Sequence, residues 1–265
     1  MIWSGFTFFN ELDLLKLRLE ETRGLDIVHI LVESKYTFKG DEKPLYFDAV
    51  KDQFKEFNIA HVVWSPAQPD KDPWVNERNQ RNAMMAVMKN ARPDDICIVT
   101  DVDEVVSKNA IMRYPKKGIA NLEMKKYGYY LNCLEGEWHI GKIFMGADLK
   151  RGTPDQIRNA GAEFTLADAG WHWSFQGGVD AILEKFASFS HQEEAVQRHA
   201  NREILLEKFK TGQSIWGEDH WKMVPLDETF PKYLLEHKEE YRHMIYELKN
   251  SGSTVLNPQP PNHGY

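Results

Sequence analysis

Cysteine is nearly missing from this chain. Its 265 residues hold only Cys97 and Cys133, so no disulfide framework can carry the fold and a Cys-x-x-Cys or Cys/His zinc pattern is excluded. No Asn-x-Ser/Thr sequon occurs, and the opening residues Met1-Ile2-Trp3-Ser4-Gly5-Phe6 lack the basic and long apolar regions of an export signal. No apolar run approaches the roughly 20 residues that a membrane span needs, so no membrane span is expected. These absences together predict a reducing, cytoplasmic setting. Basic charge is also in the minority: 33 Lys+Arg stand against 40 Asp+Glu, a net charge of −7, which lacks the footprint of a nucleic-acid binder. What is present is 42% hydrophobic and 12% aromatic residues, enough for a proper core and too much for global disorder.

The first hundred residues alternate short apolar runs with helical patterns. Strands are predicted at residues 2–9, 27–32, 59–64 and 96–99, with helices after Asn10, over 47–57 and over 74–89. Polar loops at 35–45 and 66–73 carry Gly40, Pro44, Pro66 and Pro73. Such alternation predicts an α/β fold, with a mostly parallel central sheet flanked by helices and its ligand edge at the strand C-termini. Residues 119–144, rich in aromatic and β-branched types and punctuated by Gly128, Gly136 and Gly141, predict antiparallel strands. Helices follow over 179–190, 193–210 and 233–250, with a proline-bounded break at 225–231 and an extended tail around 257–261. One domain is expected over 1–250: a nucleotide-binding half at 1–106, an acceptor half at 107–250, and a tail at 251–265.

The segment Ile96-Cys97-Ile98-Val99-Thr100-Asp101-Val102-Asp103-Glu104 runs an apolar strand into three carboxylates. On an extended chain Asp101 and Asp103 point the same way, and two converging carboxylates call for a cation, Mn²⁺ or Mg²⁺, with open positions for phosphate oxygens. Capping of the next helix is the plainer alternative. Two enzyme classes place Asp-x-Asp after a hydrophobic strand. In a haloacid-dehalogenase-like phosphohydrolase Asp101 would be the nucleophile, but such motifs sit near the N-terminus, ahead of a second acidic pair. In a GT-A glycosyltransferase the motif follows a nucleotide-binding half, as it does here. A non-enzymatic carbohydrate-binding protein is a further alternative.

Several ordered blocks resemble glycosyltransferase family 17, whose named activity is β-1,4-N-acetylglucosaminyl transfer onto N-glycans. They are Phe6-Thr7-Phe8-Phe9-Asn10-Glu11-Leu12-Asp13-Leu14-Leu15, Val32-Glu33-Ser34 with Lys43-Pro44-Leu45-Tyr46-Phe47, Gln80-Arg81-Asn82-Ala83, and Asp101-Val102-Asp103-Glu104. The later ones are Ala169-Gly170-Trp171-His172-Trp173-Ser174, Ser188-Phe189-Ser190-His191-Gln192-Glu193 and Pro231-Lys232-Tyr233-Leu234-Leu235. The resemblance spans most of the chain and implies a GT-A-like fold, a UDP-sugar donor (UDP-GlcNAc first), and a glycan or polysaccharide acceptor. The animal members' membrane anchor and lumenal stem have no counterpart here, so the similarity is to short bacterial or viral members.

Roles follow from position and from that resemblance. Asn10, Glu11 and Glu33 sit at strand ends and are expected at the nucleotide; Arg78 and Arg81 offer guanidinium forks to the diphosphate. Asp101 and Asp103 are expected at the metal, with His191 as the ligand from the C-terminal half. A β-linkage made from an α-linked nucleotide sugar requires inversion, and so a base for the acceptor hydroxyl. His172, Asp168 and Asp219 are the candidates; Gly217-Glu218-Asp219 is similar to the Glu-Asp pair of several inverting enzymes. Trp171, Trp173 and Trp138 are expected to present flat apolar faces to the acceptor sugar, with Trp216 and Trp221 as further possibilities.

Overall fold

The computed structural model describes residues 1–248. The first half runs β1 (Ile2–Thr7), α1 (Leu12–Glu21), β2 (Ile27–Ser34), α2 (Tyr46–Val50), β3 (Ile59–Trp64), α3 (Pro73–Asn82), α4 (Met85–Met88) and β4 (Ile96–Asp101). These strands are parallel and lie in the order β3-β2-β1-β4. Their uninterrupted apolar runs are explained by cover on both faces. Leu31 packs with Phe6, Leu15 and Leu19 on one side, while Ile30, Val32, Cys97 and Val99 pack with Met84 and Met88 on the other. The crossover connections bring every C-terminal strand end to one edge, where Thr7 and Asp101 are register partners.

The second half continues with β5 (Glu104–Val106), α5 (Lys108–Arg113), β6 (Ala120–Gly128), β7 (Cys133–Trp138), β8 (Lys142–Met145), α6 (Pro154–Asn159) and β9 (Phe164–Ser174). Then follow α7 (Gly178–Ser188), α8 (Glu194–Gln197), α9 (Arg202–Thr211), β10 (Lys222–Met223) and α10 (Lys232–Glu236). The antiparallel strands expected at 119–144 join the same sheet. β8 pairs antiparallel with β4, and β6 carries β7 and β8 antiparallel and β9 parallel. The α/β class, the flanking helices and the helical C-terminal part are those anticipated from the sequence. No described helix is long and apolar enough to cross a membrane.

Three helices are shorter than their periodicity suggests. The pattern over 47–57 gives one α turn and a 3-10 turn, Lys51–Phe54. That over 193–210 divides where the Asn201 side chain accepts from the Ile204 N–H and starts α9 afresh. The helix expected over 233–250 stops at Glu236. His237 stacks on Tyr233 at 3.9 Å and sets its Nδ1 2.9 Å from the Tyr233 carbonyl. Further on, after a 3-10 turn at Arg242–Met244, Leu131 N–H donates to the Met244 carbonyl and Asn132 exchanges hydrogen bonds with the Tyr246 backbone, pinning residues 244–246 to the loop between β6 and β7. Residues 249–250 of that helix and the tail predicted at 257–261 lie outside the described residues.

Candidate active site

The acidic segment at the end of β4 closes a tight, heavily charged turn. Asp101 Oδ1 accepts from Thr7 Oγ1 at 2.8 Å and from Arg81 Nη2 at 3.2 Å, and its Oδ2 accepts from Arg158 Nη2 at 2.7 Å. Glu104, fully buried, accepts from both Arg158 nitrogens at 2.7 and 2.6 Å, from Trp138 Nε1 at 2.6 Å and from the Asp101 N–H at 3.0 Å. Beneath the turn, Arg18 donates to the carbonyls of Asp101 and Glu104 and to Thr100 and Ser4. Burial alone would raise the Asp101 carboxyl; Arg158 and Arg81 outweigh it and hold the group at about 2. Asp101 is therefore an anchor whose charged form the two arginines favour, with both oxygens already engaged.

Asp103, two residues on, faces a cleft of about 750 Å³ that opens at the strand-end edge. Its Oδ2 accepts from Lys185 Nζ at 3.2 Å and lies 3.6 Å from His172 Nε2. Burial opposes its charge, but Lys185 and then His172 bring its pKa well below the usual carboxylate range. Lys185 comes from α7, and its ammonium also sits 5.1 Å from the centre of the Phe175 ring. Glu11 lines the same cleft; burial raises its pKa against the pull of Lys185, and its Oε2 accepts from the Phe9 and Asn10 N–H groups. Lys43 reaches in between Phe9 and Tyr46, 5.2 Å from each ring centre.

Strand alternation decides which members of the Trp171-His172-Trp173-Ser174 block reach the cleft. His172 and Ser174 line it, while Trp171 and Trp173 stack on each other at 5.8 Å inside the core against Phe230 and Leu234. His172 lies within β9, opposite Glu104, and its Nδ1 is buried without a partner. Of Trp171, Trp173 and Trp138, the structure brings Trp138 to the cleft, with its ring 4.5 Å from His172. Trp221 packs in the core on Tyr129, and Trp216 stands at the cleft, 42% exposed.

The nucleotide candidates separate in the same way. Arg81 and the exposed Arg78 line the cleft beside Glu11 and Asp101. Asn10 lies off the wall and donates to Glu184 at 3.0 Å. Glu33 is fully buried behind it, accepting from the Phe47 N–H, with His61 Nε2 at 3.2 Å and Lys43 Nζ at 3.7 Å. Its placement is that of a support for Lys43, because β2 ends under the loop carrying that lysine. Asp168 and Asp219 are exposed and off the cleft wall, their carbonyls taken by Arg113 and by the Ser214 N–H. Glu218 bonds to Gln213 nearby. Sequence reasoning missed Arg158 and Lys185. Both sit on later helices and meet the acidic turn only through the fold, so no local signal announces them.

Of the two carboxylates expected at a metal, Asp101 has both oxygens in hydrogen bonds from arginines and Thr7, while Asp103 is the one that faces the cleft with an oxygen to spare. His191 lines the cleft mouth against Trp74, ring centres 4.5 Å apart. Among the described residues, the group of carboxylate and imidazole atoms that does converge is Glu123, Glu137 and His139, off the cleft wall. Asp103 leaves Oδ1 open to a hard cation, since both its recorded contacts fall on Oδ2. One carboxylate, completed by water and substrate phosphate, is an ordinary Mg²⁺ environment.

A parallel α/β half with a cleft of interleaved acidic and basic side chains at its strand ends is the ligand-binding arrangement of open α/β sheets. A model described as glycosyltransferase family 17 matches residues 1–246, and the chain belongs to that family. The beta-1,4-mannosyl-glycoprotein 4-beta-N-acetylglucosaminyltransferases of Homo sapiens and Rattus norvegicus are each 26% identical over 113 residues, 39% of this chain and 21% of theirs. The match thus spans about a fifth of the length of those relatives. The crystal structure of S. aureus TarS 1-349 superposes with a TM-score of 0.41 and 14% identity, covering 78% of this chain and 71% of that one.

Proposed function

We propose that this chain transfers a sugar, N-acetylglucosamine in the first instance, from a UDP-sugar to a glycan hydroxyl with inversion. The observation that carries this reading is the cleft floor, where the Asp103 carboxylate meets Lys185 beside Arg81 at the ends of β1 and β4. Fixed cations there complement a diphosphate, whose charge grows as it leaves. Family membership supports the transfer, and the printed activity of the human relative suggests the donor sugar.

Asp103 would hold Mn²⁺ or Mg²⁺, which would neutralise the departing diphosphate. Asp101 sets the turn from which Asp103 projects. Among the candidate bases His172 lines the cleft, and in this reading its imidazole takes the acceptor proton while Asp103 Oδ2, 3.6 Å from Nε2, stabilises the imidazolium. The phosphohydrolase alternative is set aside by family membership and by the two arginines that occupy the Asp101 oxygens as its would-be nucleophile.

Calorimetry with UDP, with and without Mn²⁺, is the direct test. Binding strengthened by Mn²⁺ and reversed by EDTA is expected, and Asp103→Asn should abolish that strengthening. His172→Asn should bind UDP normally while turnover falls about 10²–10⁴-fold. A wild-type chain with no affinity for UDP under either condition would sink the reading.

A further inference from the structure

The cleft has a second character besides its charged floor. Trp74 and Trp216 are 41% and 42% exposed, and both line this one cleft. Trp74 comes from the N-terminal half, at the start of α3, where Asp72 accepts its N–H at 2.9 Å and Pro73 opens the first turn. Trp216 comes from the loop after α9.

A continuous path of ring contacts joins them. Trp74 meets His191 at 4.5 Å, His191 meets Phe189 at 5.5 Å, Phe189 meets the buried Phe186 at 5.5 Å, and Phe186 meets Trp216 at 6.1 Å. From Trp216 the path turns inward to Phe175 at 5.7 Å, whose ring lies under the Lys185 ammonium that holds Asp103. Phe175 has φ +55°, a conformation that costs energy for an aromatic residue and is sustained here by the fold around it. The wall therefore runs from the cleft mouth to the charged floor.

We propose that this wall is the acceptor-binding subsite and that its ligand is an extended oligosaccharide, with separate sugar units stacking on Trp74 and Trp216. The proposal rests on the sugar-transfer reading and adds the acceptor's shape and its contacts. A sugar ring has an apolar C–H face and a hydroxyl rim. The wall matches both, because the aromatic faces of Trp74, Phe189 and Trp216 share the cleft with the imidazole of His191.

The test uses the full chain, with mannotriose and chitotriose as probes and UDP as control, by calorimetry and saturation-transfer NMR. Wild-type protein should bind at least one trisaccharide more tightly than its monosaccharide. Both side chains are well exposed, so Trp74→Ala and Trp216→Ala should fold normally. Each should weaken trisaccharide binding about three- to ten-fold, the loss of one stacked aromatic, while leaving UDP affinity unchanged. No trisaccharide binding by wild type, unchanged binding in either variant, or a loss of UDP affinity in either one would overturn the proposal. Trisaccharide binding at the wall without UDP binding would instead sustain the subsite and remove the sugar-transfer reading beneath it.

Discussion

Arg158 shows how much of this site rests on a single side chain. It holds Asp101 and Glu104 together; the Glu104 carboxylate is fully withdrawn from water and the Asp101 carboxylate is partly so. Arg158→Met would leave the buried Glu104 carboxylate without its guanidinium partner, beside the Asp101 carboxylate that Arg81 still holds. A loss of about 3–5 kcal/mol is expected, read as a fall in the chemical-denaturation midpoint. Asp101→Asn should also destabilise, since it leaves Arg81 and Arg158 short of a partner. That differs from what an acidic pair wrapped around a metal implies, where removing the charges would relieve repulsion. Arg78→Ala, at the exposed rim, should leave stability within about 0.5 kcal/mol, with any effect confined to donor affinity. Urea titrations of the three variants separate these cases, and equal stability across them would contradict the clamp.

Among the elements, β9 matters most, because its pairing with β5 and β6 carries His172 to the cleft. At its centre the register shifts, and Gly170 takes φ +144° where a Cβ would stand 2.0 Å from the Val105 carbonyl oxygen. Gly170→Ala should therefore cost at least about 1–3 kcal/mol and lower turnover by displacing His172, as denaturation and transfer assays on one preparation would reveal. The sequence made β1 to β4 legible because buried parallel strands write themselves as unbroken apolar runs. It also marked Gln80-Arg81-Asn82, where Gln80 holds the Val32 carbonyl, Arg81 reaches Asp101, and Asn82 accepts from the Asp155 N–H. Facing within β9 was harder to read. Trp171 and His172 are neighbours in the chain, yet only the bulge and the two partner strands decide which one meets ligand. Lys185 and Arg158 were illegible for a related reason, since each is one basic residue among many until long-range folding sets it on a carboxylate.

Over the whole molecule, acid sensitivity can be assigned to a group far from the chemistry. His29 on β2 is buried beside Thr22 and Phe6, with its Nδ1 unpartnered; burial, helped by Arg18, lowers its pKa from 6.5 to about 3. Between those two values the unfolded chain binds a proton that the folded chain refuses, so stability falls as pH drops through that window. In His29→Leu this part of the acid dependence should disappear, giving a flatter denaturation midpoint between pH 6.5 and 4 than wild type.

The two thiols supply a natural clock. Cys97 on β4 and Cys133 on β7 are wholly enclosed, and burial pushes both up to about 12, so neither will react with an alkylating reagent until its strand opens. One belongs to the parallel half and the other to the antiparallel half, yet a single run of backbone pairing through β8 and β6 joins them. Iodoacetamide modification at the two positions, followed peptide by peptide in mild denaturant, should proceed in step, because neither half can part from the other without tearing the ladder that connects them.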